Sequence, residues 1–297
     1  ANWQVIHSSN VRLIRGSGAD LKVYKYTPEP KGRVIVTFVA RLLVDKGIRE
    51  FIDASRILHS KGSEAKFCVA GDLDEGNPES VDSEEVETWK KLPNVDVIGY
   101  SKNIADLYSK SNIACLPSYR EGLPRSLVEA AACGRAVVTT DVPGCRDAIE
   151  TNKTGVLVPI KNAKALANAF EYLIENQDVR KRMGAAGRDL AEKDFAIEKI
   201  VAEHMNIYQK LLDRKPIKVR KLLFVVNVDW FFMSHRLPIA LEAIRQGYEV
   251  HIATALTDKL TLLQNHGLVV HPISLDRSRA GLWINGKTFL QIFRVCR

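Results

Sequence analysis

The sequence predicts an α/β protein: a Rossmann-like domain followed by the opening of a second, partial Rossmann-like unit. Three observations carry this. Short apolar, β-branched runs alternate with stretches of helical periodicity. The runs are apolar along their whole length, as strands covered on both faces of a parallel sheet are. The alternation pauses at a charged, proline-containing stretch, Asp213-Arg214-Lys215-Pro216, and then begins again.

In chain order the expected strands are Val34–Ala40, Lys66–Ala70, Val95–Ile98, Ile113–Leu116, Ala136–Thr139 and Gly155–Val158. The expected helices between them are Gly47–Ser60, Ser83–Lys91, Asn103–Ser111, Ser126–Cys133 and Cys145–Glu150. Three further helices, Ala163–Glu175, Val179–Lys193 and Ile197–Leu212, close the unit; Leu166, Phe170 and Leu173 repeat at helical spacing in the first of them. After the linker at 214–220 the sequence predicts a strand at Lys221–Val228, a helix at Ser234–Gln246 and a strand at Glu249–Thr254. A helix at Thr257–His266, a strand at Leu268–Pro272 and a last helix at Gly286–Val295 follow. The expected domains are thus 1–213 and 221–297, and three short strands make the second an incomplete core.

Composition narrows the function classes. The hydrophobic share, 46%, is that of a soluble globular protein, and apolar runs fall well short of the about 18 residues of a membrane-spanning helix. No signal peptide is recognisable, and the start at Ala1 reads as a fragment or processed boundary. The five cysteines are odd in number and lack metal-ligand spacing, so buried reduced thiols in a cytosolic protein are expected. Asn152-Lys153-Thr154 is then an incidental sequon. Residues 214–297 hold 13 Lys/Arg and 5 Asp/Glu, so the whole net charge of +8 lies there. A basic segment suits an anionic membrane surface or a phosphorylated substrate. Nucleic acid is disfavoured, because no helix-turn-helix, zinc-finger or aromatic RNA-binding signature accompanies it.

The chemistry-bearing stretch is Glu121-Gly122-Leu123-Pro124-Arg125-Ser126-Leu127-Val128-Glu129-Ala130. It follows a strand and runs into a helix, the carboxyl-edge position where α/β sheets bind ligands. Gly122 admits close backbone approach, and the helix start offers N–H groups and a positive dipole end to a diphosphate. Glu121 and Glu129 can accept hydroxyls at opposite ends of a nucleotide sugar. Equally, Ser126-x-x-Glu129 is a capping box and Glu121 a solvated loop acid. In Arg41-Leu42-Leu43-Val44-Asp45-Lys46-Gly47, two cations share a loop at the same edge and can converge on phosphate oxygens, or stay solvated. Gly16 and Gly18, in Arg15-Gly16-Ser17-Gly18-Ala19-Asp20, are a weak turn signal. Gly71 and Gly99 end strands where a base or ribose could lie, or are plain turns.

Together these segments resemble glycosyltransferase family 4, the retaining family with the GT-B fold, over residues ~5–212. The resemblance implies a nucleotide-sugar-binding domain in which Arg41 and Lys46 bind the donor diphosphate. Glu129 would hold the ribose hydroxyls and Glu121 the sugar hydroxyls. Backbone N–H groups around Leu123, Pro124 and Arg125 would touch phosphate and sugar. Residues 221–297, through Lys221–Asn227 and Ser234-His235-Arg236-Leu237-Pro238, resemble the opening of the family's acceptor domain, here in reversed order. A window on two tandem enzymes, a circular permutant or a joined partial reading frame would each produce that order. His235, at the expected helix start, is the acceptor-side candidate; capping or packing is its other reading.

The implied reaction is transfer, with retention, of a hexosyl or N-acetylhexosaminyl group from a UDP- or GDP-linked donor to an acceptor hydroxyl. It implies no metal and no cofactor, since Arg41, Lys46 and a helix start stabilise the departing diphosphate. A lipid-linked saccharide acceptor, surface polysaccharide or lipopolysaccharide synthesis, and a cytoplasmic position at the inner membrane face follow by the same resemblance. The alternatives are a binding-only nucleotide-sugar module and a GT-B type nucleotide-sugar epimerase.

Overall fold

A computed structural model describes residues 12–212, 220–274, 291–293 and 295. The chain folds as two compact units. One is Gly18–Ile197; the other combines the described residues up to Ser17 with the described residues from Glu198 onward.

The first unit holds six strands: β1 (Ile35–Val39), β2 (Lys66–Ala70), β3 (Val95–Gly99), β4 (Ile113–Leu116), β5 (Ala136–Thr140) and β6 (Gly155–Val158). All pair in parallel, in the order β3-β2-β1-β4-β5-β6. Every strand falls where the apolar runs predict it. The order reverses between β1 and β4, so the connections leaving their carboxyl ends turn to opposite faces of the sheet and leave a crevice between them, the usual ligand position in such sheets.

The connections are helical: α1 (Ile48–Ser60), α2 (Ser83–Trp89), α3 (Ile104–Ser109), α4 (Arg125–Ala132) and α5 (Pro143–Asp147). After β6 come α6 (Ala163–Glu175), α7 (Gln177–Leu190), a π turn at Ala191–Phe195 and α8 (Ile197–Leu212). The helix expected at Cys145–Glu150 begins earlier because Pro143, with its fixed φ, suits a first helical position. Buried aromatics join layers: Phe38 of β1, Phe51 of α1, Phe67 of β2 and Phe170 of α6 meet with ring centroids 5.5–6.0 Å apart. α7 approaches α4 closely because Gly184 lies against the Gly134 carbonyl, where a Cβ would overlap it.

Two buried arginines hold the opposite edge of the sheet. Arg135, fully buried, donates to the carbonyls of Ser111, Cys133 and Thr27. Arg180 forks onto Glu29 at 2.9 and 2.5 Å, with both side chains buried, and also donates to the carbonyls of Leu173 and Ile174. Asn112 completes this node, donating to Glu29 at 2.7 Å while accepting from the Ile35 N–H at 2.8 Å.

The second unit contains three parallel strands in sequence order: β7 (Lys221–Val225), β8 (Glu249–Thr254) and β9 (Val269–Pro272). Their helices are α9 (Asp229–His235), α10 (Leu237–Arg245) and α11 (Leu260–Asn265). The helix expected at Ser234–Gln246 is α10, starting after a break at Arg236; α9, which precedes it, is not among the expected elements, and the strand expected to reach Val228 ends at Val225. Pro238 lacks the N–H that a continuous helix needs and sits in the first turn of α10. The helix expected from Thr257 starts at Leu260, because the N–H groups of Thr257 and Lys259 turn to the buried Asp229 carboxylate at 2.7 and 3.3 Å. Residues 198–212, assigned from sequence to the first domain, belong to this unit. Their Met205 is buried in its core with Phe232, Val250 and Ile252, and Val201, Tyr208 and Leu212 pack against it. Residues 213–219, Cys296 and most of the helix expected at Gly286–Val295 lie outside the described residues; 291–293 and 295 are helical. Among the described residues no helix is long and apolar enough to cross a membrane.

The Arg180–Glu29 node yields a stability prediction. Arg180→Ala leaves Glu29 as a buried, weakly compensated charge and should cost about 3–5 kcal/mol. Urea unfolding of the whole chain measures it; a loss below about 1 kcal/mol would contradict the structural weight given to this pair.

Candidate functional site

The loops that follow β1 and β4 flank the crevice, and backbone contacts bind them to each other. The β1 loop passes Arg41 and makes a tight turn at Val44–Lys46. It ends at Gly47 with φ 72, a left-handed conformation that glycine adopts without strain. A Cβ on Gly47 would overlap the Pro117 carbonyl. The Asp45 carbonyl accepts from the Tyr119 N–H at 2.8 Å and from the Ser118 hydroxyl at 3.0 Å. On the other side, a Cβ on Gly144 of α5 would overlap the carbonyls of Glu121 and Gly122. The β2 loop joins through Gly71, pressed on the Ala40 carbonyl, and through Leu42 N–H to Asp72 carbonyl at 2.9 Å.

These contacts place Lys46 beside Glu121. The ammonium donates to the Glu121 Oε1 at 2.6 Å, with both side chains mostly buried. Arg41 lies in the same loop but behaves differently: half-exposed, it pairs with Asp74 of the β2 loop. The two cations are therefore each matched to a separate carboxylate, a partnering that sequence spacing does not signal.

Glu129 is buried in α4, only 6% exposed. Arg125, one turn earlier, donates to its Oε1 at 2.9 Å, and the Tyr24 hydroxyl faces it as a second donor. Burial raises the Glu129 pKa above the usual carboxylate range, opposed by Arg125 and Tyr24. Burial and the same carboxylate push the Tyr24 phenol up. The capping-box reading of Ser126-x-x-Glu129 is overturned. Pro124 occupies the position before the helix, and Ser126 lies one residue inside it. Ser126 can therefore not cap, and Glu129 turns to Arg125 instead.

The remaining candidates are placed as follows. Leu123 packs against the core, while Pro124 contributes no N–H. The first N–H groups of α4 thus come from Arg125 onward. Gly122 has open space where a Cβ would be. Gly71 and Gly99 line a cleft of about 650 Å³ with Leu42, Asp72, Val86 and Ile98, beyond the carboxyl ends of β2 and β3. Gly16 and Gly18 both have left-handed φ, 64 and 73, and the division between the units falls between them. His235 is not at a helix start: it ends α9, stacked on Phe231 with centroids 4.2 Å apart and bonded to the Ser234 hydroxyl at 2.5 Å. Cys68, Cys115, Cys133 and Cys145 are buried and free, as expected. Among the described residues no group of three or more His, Cys, Asp or Glu side chains could hold a metal ion. Sequence reasoning missed Tyr24, Asp74, Tyr119 and Gly144. Gly144 could have been flagged as a glycine in the first turn of the helix after a strand, whereas the other three carry no local signal.

Comparison with known proteins identifies the family. Residues 24–190 match the family model described as "Glycosyl transferases group 1". The chain is 31% identical to the capsular polysaccharide biosynthesis glycosyltransferase CapM of Staphylococcus aureus, over 63% of this chain and 49% of that protein. It is 35% identical to the N,N'-diacetylbacillosaminyl-diphospho-undecaprenol alpha-1,3-N-acetylgalactosaminyltransferase of Campylobacter jejuni, over 61% of this chain and 44% of the relative. The chain thus spans about half the length of the curated relatives it matches. Among solved structures, Anabaena HepE in complex with UDP-glucose superposes with a TM-score of 0.57 at 20% identity, covering 65% of this chain and 56% of that one.

Two predictions follow the geometry. Gly144→Ala forces backbone apart at Glu121 and Gly122 and should cost about 1–3 kcal/mol. Gly122→Ala, with open space, should cost less than about 0.5 kcal/mol; equal denaturant midpoints would contradict the contact. The second concerns pH. Glu129 has a higher pKa folded than unfolded, so the folded chain keeps its proton where the unfolded chain has lost it. Its contribution to stability therefore falls as pH rises through and just above the ordinary carboxylate range. Glu129→Gln should flatten that part of the stability–pH curve, read from urea midpoints between about pH 4 and 7.

Proposed function

We propose a donor-binding role in sugar transfer for this chain, which belongs to the glycosyl transferases group 1 family and has the GT-B type α/β architecture. The observation that carries the proposal is the Lys46–Glu121 pair, held at the topological switch point by glycine contacts on both sides. In this reading the donor is a UDP- or GDP-linked sugar. Lys46 and Arg41 meet its diphosphate, the start of α4 adds N–H groups, and Glu129 takes the ribose hydroxyls. Glu121 takes the sugar hydroxyls near the reacting carbon. The chemistry supplied is electrostatic: charge building on the departing diphosphate meets cations already positioned, which saves reorganisation in the transition state.

The reaction proposed is transfer, with retention, of a hexosyl or N-acetylhexosaminyl group to an acceptor hydroxyl, without a metal or cofactor. Its setting is surface polysaccharide or lipopolysaccharide synthesis at the cytoplasmic membrane face. Support for the setting comes from CapM's role in capsular polysaccharide and from the C. jejuni relative, named for a diphospho-undecaprenol substrate. UDP-glucose bound to HepE supports the donor class. The whole enzyme's acceptor is a lipid-linked saccharide in this proposal, and the +8 charge of residues 214–297 suits an anionic membrane surface.

A phosphate must compete with Glu121 for Lys46 and with Asp74 for Arg41. Lys46 is the less exposed cation, so its electrostatics are less screened. Lys46→Ala should therefore weaken UDP or GDP binding by tenfold or more, Arg41→Ala by less. Glu121→Gln should tighten binding of the bare diphosphates, by removing a competing charge, yet abolish transfer from the nucleotide sugar. Calorimetric titration followed by a transfer assay tests all three; unchanged affinities across the set would remove the site. Binding without transfer by this chain would favour a binding-only module, and donor interconversion without acceptor an epimerase.

A further inference from the structure

Tyr119 lies two residues before Glu121, in the β4 loop, and three neighbouring segments converge on it. Its N–H donates to the Asp45 carbonyl at 2.8 Å, next to Lys46 in the chain. Its hydroxyl donates to Glu50 Oε1 at 2.7 Å, in the first turn of α1. The Lys161 ammonium, from the turn that leads into α6, sits over its ring at 5.0 Å from the centroid. Lys161 holds that place with φ 54, a left-handed conformation that a lysine seldom adopts. Such strain persists only where surrounding contacts determine it.

The rest of the loop is equally tied. The Ser118 hydroxyl donates to the same Asp45 carbonyl at 3.0 Å, and its own carbonyl accepts from the Thr140 hydroxyl. Gly47 presses on the Pro117 carbonyl. The Lys46 and Glu121 side chains meet at 2.6 Å across these two loops, so their register depends on what fixes one loop against the other. The backbone contacts fix the loops' near ends. The Tyr119 side chain is the strut that reaches from the β4 loop to α1, the helix that continues the Lys46 turn.

We infer that Tyr119 is a positioning residue for the Lys46–Glu121 pair, bracing the β4 loop against α1 through Glu50 so that Lys46 is held where a donor diphosphate arrives. The inference rests on the donor-site reading above, because it takes the diphosphate as what Lys46 meets. Tyr119 acts here through Lys46 and touches no substrate. Removing its hydroxyl leaves the ring, the Lys161 contact and the backbone bonds in place but unties the loop from Glu50. Lys46 and Glu121 would then sample other separations, and the ordering of Lys46 would be drawn from binding affinity.

The test is a double-mutant cycle on the full chain, read by calorimetric titration with UDP and with GDP. Tyr119→Phe is expected to raise the dissociation constant of the better-bound nucleotide by roughly fivefold to tenfold, the size of one typical lost hydrogen bond. Glu50→Ala should reproduce that rise. In a Lys46→Ala background, Tyr119→Phe should add less than about twofold, since the residue it positions is gone. A Tyr119→Phe chain that binds as the wild type does, or whose loss adds in full to that of Lys46→Ala, overturns the positioning role. If Lys46→Ala itself leaves binding unchanged, or the wild type binds neither nucleotide, the donor-site reading fails and the inference with it. Thermal melts of each variant separate loss of fold from loss of register: a Tyr119→Phe chain that melts as the wild type does and binds more weakly supports the brace. One that loses affinity only in proportion to unfolded protein overturns it.

Discussion

Backbone presses on backbone where the loops of β1, β2, β4 and β5 meet, and the candidate site depends on that close approach. Gly47 against Pro117, Gly71 against Ala40 and Gly144 against Glu121 and Gly122 leave no room for a side-chain carbon. Loops usually run exposed over the surface; these are packed backbone against backbone between their neighbours. The sheet order supplies the setting. With β1 beside β4 at the switch point, the loops that carry Lys46 and Glu121 leave adjacent strands, and glycine lets them close the remaining distance.

Within that frame the charges are matched. Lys46 faces Glu121, Arg41 faces Asp74 and Arg125 faces Glu129. Pairing lowers the cost of keeping Lys46, Glu121 and Glu129 poorly solvated. In the proposed donor site, an arriving phosphate competes with these carboxylates for the cations. The burial that raises the Glu129 pKa also leaves the carboxylate fixed by Arg125 and Tyr24, so that in this proposed site bonding ribose hydroxyls needs little reorganisation.

Far from the site the same logic serves stability. Arg135 places its guanidinium among the carbonyls of Ser111, Cys133 and Thr27 and the Thr27 hydroxyl, and Arg180 ties Glu29 and the last turn of α6 into one node with Asn112. Neither arginine reaches the carboxyl edge. Charge burial in this chain is thus divided between one end of the sheet that holds the segment at Thr27 and Glu29 in place and another that presents cations.

Sequence alone determined the element order of the first unit, the parallel character of its sheet, the two loops that carry Arg41, Lys46 and Glu121, and the helix that carries Glu129. These are properties of short windows: apolar periodicity, strand-end glycines and a helix start are each written within a few adjacent residues. Helix boundaries were less legible, and single residues account for several shifts, as Pro143 does in α5, Pro238 does at Arg236 and Asp229 does before Leu260. Only the tertiary structure decided who partners whom. Lys46 met Glu121 across 75 residues and Arg41 met Asp74 across 33, while Glu129 left the capping box for Arg125 and Tyr24. Tyr119 acquired its place from α1 and the turn before α6. Such pairings depend on the distance between segments after the sheet has formed, and no local pattern of residues encodes that distance.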